Sequence, residues 1–134
     1  MGVAIFISII LVILIVLFSN PLRMPNWLLR LHLLNTMPIG TNIEDITTIV
    51  NERSGWRMEP IRGGGFIVSP AWPHSPYFPV FPNISQENMI GVQSTRIHLG
   101  HYRYIFQRDV LAYLAFDFDG YLIEIAVTRQ IDAM

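Results

Sequence analysis

Residues 2 to 18 read GVAIFISIILVILIVLF, with no charge and one hydroxyl, at Ser8. Such a run cannot sit in water as a helix. It must be buried in protein or in lipid. Seventeen residues at about 1.5 Å each span roughly 25 Å, the short end of what crosses a bilayer core. Its many β-branched residues do not count against a helix, because lipid leaves the backbone no partner but itself. A cleaved secretion signal would carry a basic residue before the run and small residues before the cut. No Lys or Arg precedes this run, and SNPLR comes directly after it. The reading is therefore an uncleaved anchor, carried by residues such as Ile5, Ile10, Leu14 and Phe18. The run also accounts for the mean hydropathy of +0.40 over the chain.

Two orientations are open. Arg23 and Arg30 lie beyond the anchor, and the positive-inside rule then directs the domain to the cytoplasm. Small bacterial N-terminal anchors, in contrast, often export the domain attached to them. Pro21 and Pro25 break the helix. NWLLRLHLLN, residues 26 to 35, then places its apolar residues on one face. Trp27 and Arg30 suit a membrane interface, one by its amphipathic ring and the other by snorkelling. The same pattern suits a helix packed on its own sheet.

TNIEDITTIVNERSG, residues 41 to 55, is an amphipathic helix with Thr41 as N-cap, Glu44 closing a capping box and Gly55 as the stop. The period then changes to two. WRMEPI and GFIVS are expected to form a short hairpin across the glycines at 63 to 65. No GK[ST] accompanies those glycines, so a flexible turn is preferred to a phosphate loop. In QSTRIHLGHYRYIF, residues 93 to 106, the apolar parity flips at Gly100, which predicts a β-bulge there. DVLAYLAFDFDGYLIEIAVTR, residues 109 to 129, reads as a hairpin with a two-residue turn at Asp119-Gly120. That register sets Phe118 opposite Tyr121, Phe116 opposite Ile123, Leu114 opposite Ile125 and Ala112 opposite Val127. The other face then carries Asp117, Glu124 and Thr128.

Proline recurs every third residue at 70, 73, 76, 79 and 82. Three residues per turn is the polyproline II period, and the geometry gives a rod of roughly 37 Å. Trp72, Tyr77, Phe78 and Phe81 line its other two edges and are the candidate partner-contact residues. One reading docks the rod across its own sheet, over strands holding Tyr102, Tyr104 and Phe106. The other offers it to a partner, as PxxP ligands are offered to aromatic grooves. Docking is preferred, because four exposed aromatics would be costly on a free monomer.

Chemistry finds few candidates. The 134 residues include no Cys, which removes disulfides, thiolate ligands and a thiol nucleophile. A net charge of −1 argues against nucleic acid as a partner. Asp117-Phe118-Asp119-Gly120 with Glu124 resembles the end of a calcium loop, but the spacing departs from that pattern and a turn explains it. His98 and His101 lie on opposite faces of a regular strand. A bulge at Gly100 brings them together, and a metal held with Asp117 is the enzymatic alternative. No cofactor and no metal are expected.

The "PIGT-x-x-E-D-I" helix start and the "FD-x-DG-x-LI" hairpin, with IHLGHYR between them, resemble small bacterial membrane-anchored proteins of unassigned function. More distantly, the chain is similar to SmpA/OmlA-like envelope lipoproteins. That resemblance covers roughly residues 28 to 132, implies no catalytic residues, and lacks the lipobox Cys. The expected fold class is α+β: an N-terminal transmembrane helix, one or two further helices, then an antiparallel β-meander with a proline-rich polyproline II insertion. Residues 1–20 form the anchor, 21–40 a juxtamembrane amphipathic helix and linker, and 41–134 a small α+β domain with the proline-rich segment at 69–85. The expected function is a membrane-anchored, non-catalytic binding or scaffolding module in envelope maintenance, with the lipid bilayer and another protein as partners. A small accessory subunit of a membrane complex is the alternative.

Overall fold

The computed structural model describes residues 2–19, 22, 25–69, 75–79, 88–103 and 107–131, with the side chains of α1 (Gly2–Ser19) described as far as residue 15. Helices α2 (Asn26–Thr36) and α3 (Ile43–Glu52) come next. The strands are β1 (Arg57–Met58), β2 (Arg62–Gly63), β3 (Phe66–Val68), β4 (Pro76–Tyr77), β5 (Met89–Ile90), β6 (Gln93–Arg103), β7 (Gln107–Phe116) and β8 (Leu122–Ile131). The class is α+β, as expected, and every described strand pair is antiparallel. The main sheet runs β1-β6-β7-β8, with β2 beside β6 further along its edge. A second sheet runs β4-β3-β5.

Strand β7 sets the layering. Its residues from Val110 to Phe116 are all buried. Val110, Ala112, Leu114 and Phe116 face a core built with Leu29, Leu33 and Met37 from the α2 region and Ile46 and Val50 of α3. Leu111, Tyr113 and Ala115 face the other way, onto Phe66 and the small sheet. This second face was expected to be polar. Its three β7 residues require cover, and even Thr128 on β8 is buried. α2 lies along β8 and belongs to the first core through Leu29 and Leu33, while Trp27 and Leu31 remain exposed on its outer side.

The bulge forms where the parity predicts it. His98 pairs with Leu111 and Gly100 with Val110, so Leu99 is the extra residue. Gly100 has φ +135, where other residues are strained. The hairpin holds at Leu114–Ile125 and Ala112–Val127 but not at its tip. A second bulge sets Phe116 opposite Leu122 instead of Ile123. Among the described residues only glycines have a positive φ, so Asp119 does not take its place in a type I′ turn. Asp117 organises the loop instead: its Oδ1 accepts from the Asp119 N–H at 3.0 Å and the Tyr121 N–H at 2.8 Å. Phe118 is thereby left 87% exposed, not paired with Tyr121.

Three further expectations shift. The α3 N-cap is Asn42, whose side chain accepts from the Asp45 N–H at 2.8 Å. Thr41 turns back to donate to the Pro38 carbonyl, so no capping box closes through it. The chain does not form a hairpin across residues 63 to 65. It crosses there from the main sheet, at β2, to the small one, at β3. The proline segment is not one straight rod either. Pro76 and Tyr77 pair with β3, and the Ser69 N–H donates to the Ser75 carbonyl, so residues 69 and 75 lie side by side. The part described, 75–79, docks on the protein's own sheet, as preferred, but against Tyr113 on β7. Tyr102 packs with the first core on the other face, so the segment does not dock over it, and Tyr104 and Phe106 lie outside the described residues.

Among the described residues, no helix is long and apolar enough to cross a membrane. The described side chains of α1, from residue 2 to 15, cover about 21 Å of helix axis, against roughly 30 Å of bilayer core. The fold thus supplies a helix at the N-terminus and does not by itself make it an anchor.

The crossing at residues 63 to 65 gives a paired prediction. A Cβ on Gly65 would lie 1.8 Å from the Ile90 carbonyl oxygen, whereas one on Gly63 meets nothing within 4 Å. Gly65→Ala should cost about 3 kcal/mol, in the range of severe overpacking. Gly63→Ala should stay within about 0.5 kcal/mol of wild type. Urea denaturation of the two variants checks this.

Candidate functional site

The polar chemistry of the domain gathers on β6 and beside it. Glu59 comes just after β1, and its backbone N–H donates to the Arg96 carbonyl at 2.9 Å, holding it against the strand. Its carboxylate accepts from Arg96 Nε and from Arg96 Nη2, and it contacts His98 Nε2 at 2.9 Å. Burial pushes the Glu59 carboxyl up. The hydrogen bonds and positive charge of Arg96, with the contact to His98, outweigh that and hold it below its ordinary value.

Arg96 also connects this polar group to the aromatic layer. Its Nη1 donates to the Tyr113 hydroxyl at 3.3 Å, and its guanidinium lies 5.7 Å from the ring centroids of both Tyr113 and Phe78. Phe78 packs on Tyr113 at 4.9 Å and carries the Arg62 guanidinium at 4.1 Å on its ring. Arg62 and Phe78 therefore join the main sheet to the proline segment by cation–π stacking.

Next to this network lies a cleft of about 630 Å³, lined by Gly55, Trp56, Arg57, His98, Gly100, His101 and Asp109. The bulge creates it. Without an extra residue, positions 98 and 101 would point to opposite faces. With Leu99 inserted, His98 stands opposite Leu111 and His101 opposite Asp109, and both β7 residues are on the same face. Arg57 stands opposite His98 on the other side. Arg53 lies over the Trp56 ring at 5.4 Å.

The expected site residues are distributed as follows. His98 and His101 share the cleft, as the bulge allows. Asp117 is committed to its loop, and among the described residues no three His, Asp or Glu groups gather to hold a metal. Tyr77 is 45% exposed and Phe78 half-buried, while Trp72 and Phe81 lie outside the described residues. Ile5, Ile10 and Leu14 are exposed along α1, and the Phe18 side chain lies outside the described ones. Trp27 is exposed at the start of α2. Arg30 is partly exposed and lies along β8. It donates to the Ile125 carbonyl at 2.9 Å and pairs with Glu124.

No sequence signal points to Glu59, which sits in WRMEPI with no motif around it. Arg96 and Tyr113 share a face because they pair across β6 and β7, and this could have been found by extending the hairpin register one strand further. Comparison with protein-family models, with curated proteins and with solved structures finds no match.

The Glu59 network predicts a pH signature. A carboxyl held below its ordinary value stabilises the fold above the ordinary carboxylate range, and that contribution is lost as pH falls through its folded value. Glu59→Gln should cost about 1 kcal/mol at pH 7, discounted for its partial exposure. The gap to wild type should close as the pH is lowered below the ordinary carboxylate range. Urea midpoints at pH 7 and in acid measure it.

Proposed function

We propose that the protein is a membrane-anchored, non-catalytic binding or scaffolding module, held in the bilayer by α1 and acting through contacts of its small α+β domain. One observation carries the reading. Every described side chain of α1, from residue 2 to 15, is exposed, and among them only Ser8 is polar. Val3, Ile5, Phe6, Ile9, Val12 and Ile15 are all more than half exposed. A helix greasy and exposed on every side needs an apolar surrounding.

Ser8 fits that surrounding as well. Its hydroxyl donates to the Ala4 carbonyl at 2.9 Å, so the one polar side chain satisfies itself within the helix. The sequence remains apolar to Phe18, which lengthens the run to about 25 Å. Trp27 and Leu31, exposed on the outer side of α2 shortly beyond α1, suit the headgroup zone or a neighbouring chain. The same exposure fits an accessory subunit whose first helix packs on other spans. Crosslinking from position 27 in intact membranes separates the two, since lipid alone yields no protein adduct.

Alkaline extraction of membranes tests the anchor. The full chain should stay with the pellet, and a variant lacking residues 2–19 should move to the supernatant. Ile10→Arg puts a charge at mid-helix, which costs about 3 kcal/mol on insertion scales. It should lower the equilibrium constant for insertion on the order of a hundredfold. Full-length protein in the aqueous fraction would end this reading.

A further inference from the structure

We propose that the cleft beside the Gly100 bulge binds an oxyanion of the phosphate type, carried on a larger organic body. Three cation-capable side chains from two strands meet there: Arg57 on β1, and His98 and His101 on β6. Arg57 has only donors, in a planar fork that matches two oxygens of one phosphate. His101 is exposed at the cleft, a few residues along β6 from the partner of Arg57.

The negative groups nearby already have partners within the protein. Glu59 is held by Arg96 and by His98 Nε2, which fixes the His98 ring in the cleft wall. Asp109 stands opposite His101 and is already engaged within the protein. Arg53, over the Trp56 ring, adds a second guanidinium near the rim.

Size specifies the ligand further. A cleft of about 630 Å³ lies in the range of small-molecule sites and far exceeds what a bare phosphate fills. Trp56 supplies an apolar surface for the remainder. The ligand class is therefore a phosphate ester. It could be free in solution or the headgroup of a lipid, and the chemistry of recognition is shared. The site lies in the globular part and does not depend on how α1 is housed.

The bulge is essential to this geometry. Gly100, next to the inserted Leu99, has φ +135 and a Cβ there would come within 3.1 Å of the Leu22 side chain, so the bulge that turns both histidines to one face includes a position that only glycine occupies without strain.

The test uses the full chain in maltoside micelles, with the histidine ring resonances tracked by NMR. Glycerol phosphate is titrated in one arm and dihexanoylphosphatidylglycerol in the other. The His98 and His101 signals should move saturably in at least one arm, and Arg57→Gln should weaken that binding about tenfold. Saturation with glycerol phosphate assigns a soluble ester, and saturation with the lipid alone assigns a headgroup. If Arg57→Gln does not fold, His101→Gln makes the same comparison through the His98 signal. Resonances that stay still in both arms, or equal affinity in a folded variant, overturn the proposal.

Discussion

Seven consecutive buried residues, Val110 to Phe116, run through the middle of the main sheet. A strand buried on both faces forces the rest of the architecture, because each face must be covered by something. α2 and α3 cover one face with aliphatic side chains. The other is covered by a three-stranded patch only two or three residues long per strand, drawn from the glycine crossing and the proline segment. The second cover is thin, and it relies on aromatic and cationic stacking around Tyr113 more than on aliphatic bulk. Glycine permits it. A Cβ on Gly91 would fall 2.8 Å from that of Ala115, so the patch lies close against the sheet only because Gly91 lacks one, while Gly65 lets the chain close up within the patch, against the Ile90 carbonyl.

How much of this could be read in advance divides by the range of the forces involved. The bulge at Gly100 was legible because a period-two pattern records every inserted residue as a change of parity. The α3 helix and the far part of the β7–β8 register were legible for the same reason: each is written in the spacing of its own apolar residues. The errors fall where two local solutions compete. Asn42 took the cap from Thr41, since both are good caps and the chain chose by its bridge to Tyr121. Asp117 captured two N–H groups and replaced the tight Asp-Gly turn with a wider loop.

The proline repeat shows a different limit. Its period describes a backbone preference, and pairing of Pro76 and Tyr77 with β3 overrode it. Proline tolerates such an edge position because it has no N–H to offer. The candidate site was half legible. His98 and His101 stood out by spacing, and the parity flip between them was the clue that they converge. Glu59 and Arg57 reach the same place through strand pairing over a long stretch of chain, which no local pattern carries.

Arg30 and Glu124 close the outer edge of β8. The guanidinium takes the Ile125 carbonyl and the Glu124 carboxylate takes the Ile125 N–H, so the ladder ends in side chains. Proteins confined to a surface meet one another far more often than in bulk, all with the same side up. Under the anchored reading, an open rim along the 10 residues of β8 would invite neighbouring copies to zip into a continuous ribbon. Under that reading, the Arg30–Glu124 pair, which occupies both backbone groups of Ile125, interrupts the rim and works against such pairing.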